Sequence, residues 1–230
     1  MRVRQYSISS SPLCDPTSAT LTYSLLSGPS LSGQGTHNGV ASTYLASLQP
    51  GDKLHVAIRP SHAAFHLPAD AARTPLICVA AGSGLAPFRG FIQERAAQLA
   101  AGRKLAPALL FFGCRKPGVD DLYAEELGRW EAMGAVSVRC AYSRAQDRSE
   151  GCKYVQDRLW HERDEVEGLW ERGAKVYVCG SREVGEGVKE VVLRMRKELA
   201  ERNGWDASDE ACRKWFESIR NERYATDVFD

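Results

Sequence analysis

The sequence predicts an α/β protein in which a doubly wound parallel sheet follows a shorter region of strands and turns. Two observations carry this. From about Pro75 onward, apolar runs rich in Val, Ile, Leu and Phe alternate with amphipathic helical stretches, and before it the chain is rich in Ser, Gly, Pro and Thr. Strands that read as unbroken apolar runs, each followed by a helix, are those of a parallel sheet covered on both faces.

In order along the chain, ATLTYSLL and KLHVAIR alternate or are β-branched and read as strands, and SGPSLSGQGTHNG reads as a loop. GVASTYLASLQPGD reads as a short helix ended by Pro50 and Gly51. Then follow the strand segment PLICVAAGSG, the helix PFRGFIQERAAQLAAG, the strand ALLFFGC, the helix DLYAEELGRWEAM and the strand VSVRCAYS. A helical stretch after Lys153, the strand AKVYVCGS and a long helix from about Glu183 come next. In that helix Val184, Val188, Val191, Val192, Met195 and Leu199 fall on one stripe at helical spacing. A last helix carries Cys212, Trp215, Phe216 and Ile219 behind a cap at Ser208 or Asp209.

Composition narrows the function classes. Thirty basic and twenty-nine acidic residues leave a net charge of +1, so no global field recruits nucleic acid or an acidic membrane. No apolar run approaches the roughly 18 residues of a membrane helix, and the expectation is a cytoplasmic protein with no membrane segment. The seven cysteines are scattered without a C-x-x-C, which argues against a disulfide framework and a zinc site. His62 and His66 stand four apart, but Pro60 and Pro68 bracket them and no H-E-x-x-H accompanies them, so no metal is expected.

The stretch ICVAAGSGLAPFRGF joins a strand, a Gly-rich turn and a helix start, where a doubly wound fold holds phosphates on free amides. Gly82 and Gly84 make the turn, Ser83 offers a hydroxyl, and Pro87 sits in the first helical turn; the third glycine of the dinucleotide fingerprint is absent. The other reading is a plain strand-to-helix turn. Ser143 and Arg144 end a later strand at the carboxyl edge, with Lys153 and Tyr154 close behind. A hydroxyl and a guanidinium there suit a dianionic phosphate better than a ribose hydroxyl, which favours NADP over NAD. Asp147 and Glu150 share that loop and either oppose the phosphate or face solvent.

With RQYSISSS, GVASTYL, AAGSGLAPFRGF, FFGC followed by DDLYAEEL, YSRAQ followed by KYVQ, KVYVCGSREV and ERYATDVFD in this order, the chain resembles the diflavin reductase family. The resemblance is to NADPH-cytochrome P450 reductase, and within it to the reductase end of fungal self-sufficient P450 fusion monooxygenases. It implies a ferredoxin-reductase-like arrangement. Residues 1–72 would be the C-terminal part of an antiparallel FAD-binding β-barrel, and residues 73–230 an NADP-binding α/β domain. In that family further barrel strands, a connecting region and an FMN domain precede R-x-Y-S, so the chain is expected to be the C-terminal part of a larger flavoprotein.

The resemblance also implies roles. Arg4 would contact the FAD pyrophosphate, Tyr6 would pack on the flavin ring and Ser7 would hydrogen-bond near its N5. Thr22, Tyr23 and Ser24 would add contacts from the next strand, and the turn Gly39, Val40, Ala41 and Ser42 would be a second anion site. Cys179 would sit beside the nicotinamide, oriented by Asp227; read from the residues alone it is a buried core thiol. Phe229 would cover the flavin where many relatives have tryptophan, which relaxes the preference for NADPH over NADH. Lys153 adjoins Tyr154 where relatives separate them by one residue, Gln156 joins the same loop, and Ser181 replaces an acidic residue. The implied activity is hydride transfer from NADPH to FAD, with electrons passing on through FMN to a P450 haem. The FMN and haem would reside on other domains or partners. A sulfite reductase-type parent is the alternative enzyme, and an NADP-binding module without flavin turnover is the alternative outside catalysis.

Overall fold

The computed structural model describes residues 3–61 and 65–229; His62 lies outside the described residues. A short antiparallel hairpin, β1 (Ser27–Pro29) and β2 (Thr36–Asn38), precedes helix α1 (Val40–Ser47). The remainder runs β3 (Leu76–Ala81), α2 (Ala86–Ala100), β4 (Ala108–Cys114), α3 (Ala124–Ala132) and β5 (Ser137–Tyr142). It continues with α4 (Val155–His161), α5 (Arg163–Glu171), β6 (Lys175–Ser181), α6 (Arg182–Asn203), α7 (Asp209–Ile219) and β7 (Tyr224–Phe229). The five strands of the second part form one parallel sheet in the order β5-β4-β3-β6-β7.

Strand alternation divides the core in two. Leu76, Cys78 and Ala80 of β3, Leu110 and Phe112 of β4, and Tyr177 and Cys179 of β6 face a layer built with Phe88, Ile92 and Ala96 of α2 and Leu127 of α3. Their chain neighbours Ile77, Val79, Leu109, Phe111, Val176 and Val178 face the other way. There they meet Val155 and Leu159 of α4, Val166 of α5, Val188 of α6 and Phe216 of α7. With side chains pointing alternately to opposite faces, apolar residues at every position require a helical layer on each side.

Helix ends follow capping chemistry. The Ser208 hydroxyl accepts from the Ala211 amide at 3.2 Å, so the cap of α7 is Ser208 and not Asp209. Ser181 caps α6 by accepting from Val184, and Gly204 ends it in the left-handed conformation. Helix α3 starts after Tyr123, whose φ of 58° breaks the helix expected to begin with DLY.

The first part departs from the expected strands. ATLTYSLL forms no strand: Leu21 makes an isolated antiparallel bridge to Ile8, flanked by the Ser9 amide donating to the Thr20 carbonyl. KLHVAIR forms no strand, and Leu54, Val56 and Ile58 are exposed along it. A strand exists only by pairing, and alternation without a partner leaves an extended segment. Conversely, the presumed loop SGPSLSGQGTHNG holds the β1–β2 hairpin, and the terminal YATDVF, not read as a strand, is β7 at the sheet edge.

Candidate functional site

Chain order reverses direction in the sheet between β3 and β6. From β3 the chain steps outward to β4 and β5, then returns to β6 on the other flank. At such a switch point the connections leaving the two central strands diverge and open a crevice at their carboxyl ends. Two backbone segments meet there. The 3₁₀ turn Gly82–Leu85 leads from β3 into α2, and Gly180 and Ser181 end β6.

The two glycines of this turn serve different ends. Gly82 has φ +53° with open space where a Cβ would stand, so it supplies the left-handed bend. Gly84 is buried, and a Cβ on it would lie 2.2 Å from the Cys179 carbonyl oxygen, so it is needed for close approach to β6. Ser83 is half-buried between them, Pro87 is buried in the first turn of α2, and no side chain caps that helix. Uncapped amides beside an open glycine are the geometry that admits a pyrophosphate.

Strand β7 brings the terminal residues into register with β6: Asp227 is the rung partner of Cys179, and Phe229 that of Ser181. The Ser7 hydroxyl donates to Asp227 Oδ2 at 2.8 Å across 220 residues of sequence. Cys179 is 1% exposed and belongs to the core layer with Leu85 and Phe88. Burial pushes its thiol above the ordinary range and the Asp227 carboxylate adds to the effect, so it stays protonated at neutral pH. Phe229 is exposed beside this group.

The other expected flavin contacts are arranged around the Ile8–Leu21 bridge. Tyr6 and Tyr23 meet edge to face with ring centroids 5.8 Å apart, and the hydroxyls of Thr22 and Tyr123 share a 2.7 Å hydrogen bond. Arg4 and Ser24 are exposed. At α1, Gly39 precedes Val40 and Ala41 with no side-chain cap. The Ser42 hydroxyl is engaged internally, accepting from the Leu26 amide and donating to the Gly39 carbonyl, both at 3.2 Å. Of this turn, the uncapped amides suit an anion better than the Ser42 hydroxyl.

A third group lies beyond β5. Backbone amides of Ser143 and Arg144 donate to the carbonyls of Cys114 and Arg115 at 2.9 Å each, fixing the loop on β4. Buried Ser149 ties it further, accepting from the Tyr142 amide at 3.1 Å and donating to the Cys152 carbonyl at 2.7 Å. Arg144, Lys153 and Tyr154 are exposed, and the Lys153 ammonium lies 4.9 Å from the Tyr154 ring centre. Gln156, on α4, sets its amide against Gly187 of α6. Asp147 and Glu150 are exposed in the same loop. Two cations and a phenol on a rigid loop at the carboxyl edge fit a phosphate dianion.

A groove of about 570 Å³ lined by Ala108, Glu131, Ser137, Glu165 and Arg172 opens at the amino ends of β4 and β5. That is the wrong end of a parallel sheet for a cofactor. Sequence reasoning missed Arg89, Tyr123 and Glu126, which join α2 and α3 to the segment carrying Ser7. The signal available was an arginine at the start of a helix between two buried neighbours.

The description "oxidoreductase NAD-binding domain" is that of a family model matching residues 78–190, the span from β3 into α6 that builds this crevice. Over its whole length the chain is similar to a part of fungal proteins named as cytochrome P450/NADPH–P450 reductases and self-sufficient P450 monooxygenases. It is 68% identical over 230 residues to a bifunctional cytochrome P450/NADPH–P450 reductase of Fusarium oxysporum, covering all of this chain and 22% of that protein. A self-sufficient cytochrome P450 monooxygenase of Phanerodontia chrysosporium is 56% identical over 232 residues, covering all of this chain and 21% of that protein. A bifunctional P450/NADPH–P450 reductase of Acremonium egyptiacum is 48% identical over 231 residues with the same coverage. The chain thus spans about a fifth of the length of the curated relatives it matches. Among the described residues, no helix is long and apolar enough to cross a membrane.

Proposed function

We propose that this chain is the NADPH-oxidising part of a flavoprotein reductase, passing reducing equivalents from NADPH through FAD and FMN to a cytochrome P450 haem. The observation that carries the reading is the hydrogen bond of Ser7 to Asp227, with Asp227 one rung from Cys179 at the carboxyl edge. It brings the segment expected to meet the flavin to the strand ends where a parallel sheet binds nucleotide.

The residues present fit NADPH. Gly82, Ser83 and the amides opening α2 would receive the pyrophosphate, and Ser143, Arg144, Lys153, Tyr154 and Gln156 the 2′-phosphate end. For FAD they fit in part: Arg4, Tyr6, Tyr23 and the turn Gly39–Ser42 would hold it. Bound together, the two cofactors supply the hydride donor and acceptor. Asp227 presents a carboxylate at the strand edge, held in direction by the Ser7 hydroxyl. Cys179, protonated and buried, backs the strand edge as a neutral core side chain and does not act as a nucleophile. Phe229, exposed at the same edge, would cover a bound flavin. These residues orient and desolvate, which is the contribution hydride transfer requires of a protein.

In this reductase residues 1–72 would be the flavin part and 73–230 the nucleotide part, working in the cytoplasm with an FMN domain and a P450 haem domain as partners. A second reading, nucleotide binding without flavin turnover, is favoured by the exposed alternation of Leu54, Val56 and Ile58 in an unpaired segment. Adding FAD, removing the excess and titrating with NADPH without oxygen separates the two. Retained flavin absorbance that bleaches supports the reductase; NADP⁺ binding with no retained flavin supports the binding module.

A further inference from the structure

Helix α2 is used on two sides. One side fills the core with Phe88, Ile92 and Ala96, and the other grips the segment Ser9–Ser11. Arg89, Gly90, Gln93 and Glu94 share one helical face at this spacing. Arg89, nearly buried, spends its donors on two bodies at once. Nε and Nη2 bind both oxygens of Glu126 on α3 at 2.7 and 3.0 Å. Nη1 donates to the Ser9 carbonyl at 2.7 Å and to the Thr20 hydroxyl at 3.3 Å. The guanidinium carbon also lies 4.4 Å from the centre of the Tyr123 ring, whose hydroxyl meets Thr22.

One turn further on, Gln93 Oε1 accepts the Ser11 amide at 2.7 Å and Glu94 accepts the Ser11 hydroxyl at 3.1 Å. A Cβ at Gly90 would stand 3.2 Å from the Ser10 carbonyl oxygen, so its absence lets the segment lie close on the helix. Ser9 is fully buried, and its amide donates to the Thr20 carbonyl at 2.8 Å. Two residues before Ser9 stands Ser7, which an extended chain keeps within about 7 Å of the anchor.

We propose that the Arg89–Glu126 pair is a latch that seats the Ser9–Thr20 pairing on α2 and α3 and thereby sets Ser7 against Asp227. Arg89 is a positioning residue, acting through Ser7. Its relevance to hydride delivery rests on the reductase reading; the latch itself does not.

The test uses the whole 230-residue chain without flavin, by NMR. In Arg89→Ala, hydrogen exchange at the Ser9 and Ser11 amides should rise about ten- to a hundredfold, as expected for losing a buried charge-assisted bond. Exchange at Val79, Phe111 and Val178 should stay within about twofold of wild type. In wild type the Asp227 carboxyl carbon signal should shift on Ser7→Ala, and in the Arg89→Ala background it should not. Arg89→Lys, keeping the charge without the planar fork, should recover part of both readouts. Tyr123→Phe serves as a milder probe should Arg89→Ala fail to fold, loosening Thr22 and Ser9 together. Unchanged exchange at Ser9 and Ser11, or an Asp227 signal still coupled to Ser7 without Arg89, overturns the proposal. The reductase reading fails separately, if wild-type protein given FAD and NADPH shows no bleaching.

Discussion

Replacing Gly84 with alanine tests whether that glycine is there for a phosphate or for the protein. The added Cβ would stand 2.2 Å from the Cys179 oxygen, 2.6 Å from its carbonyl carbon and 2.9 Å from the Gly180 Cα. Non-bonded heavy atoms settle near 3.5 Å, so the turn must retreat by about 1 Å. All three obstacles are backbone of a central strand, and no rotamer change relieves them. Overpacking in a close-packed interior costs about 1–3 kcal/mol, and an obstacle that cannot rotate away puts this site near 3. Gly82→Ala meets no atom within 4 Å and bears only the left-handed backbone penalty, about 1–2 kcal/mol. In urea unfolding followed by circular dichroism, with a slope of about 2 kcal/mol/M, the midpoint should fall by roughly 1.5 M for Gly84→Ala and by half that for Gly82→Ala. Equal midpoints, or a Gly84→Ala protein of wild-type stability that has lost only nucleotide affinity, would refute the packing argument.

Three further outcomes are expected. Arg144→Ala should weaken NADP⁺ binding about ten- to a hundredfold in calorimetry while leaving NAD⁺ nearly unchanged, since a charged hydrogen bond to the 2′-phosphate is lost. Hydrogen bonds from Ser18 and Thr17 lower the Asp15 carboxyl from 3.8 to about 2, and an NMR titration should find it there. Because the folded value is depressed, its stabilising contribution is present above pH 3.8 and fades as pH falls toward about 2; Ser18→Ala with Thr17→Ala should raise the midpoint part of the way toward 3.8, since the backbone amides of residues 17 and 18 still donate. In a flavin-loaded parent protein, Phe229→Trp should raise the selectivity for NADPH over NADH, and unchanged selectivity and nicotinamide affinity would remove Phe229 from the account.

The sheet was legible because buried parallel strands are written as unbroken apolar runs, as in LICVAA and ALLFFGC. Strand β7 was not, since an edge strand such as YATDVF keeps four exposed positions and carries no such run. Strands expected around Leu21 and Val56 have the right alternation, but alternation states a preference that pairing must complete. Within the site, the Gly-rich turn could be read from residue types, whereas Ser7, Cys179 and Asp227 came through the family resemblance. Arg89 escaped because an arginine early in a helix reads as solvated. Its burial depends on a segment some eighty residues earlier, visible only in three dimensions.

Cys179 and Asp227 are neighbours on adjacent strands, so their separation is set by the sheet's roughly 4.8 Å strand spacing and not by the chain that joins them. That connection, α6 and α7 with the exposed turn around Gly204 and Trp205, is therefore free to change length without altering the rung. The turn between the two helices is the natural place to graft a reporter or a second domain, with the thiol and the carboxylate keeping their register on either side of the insertion.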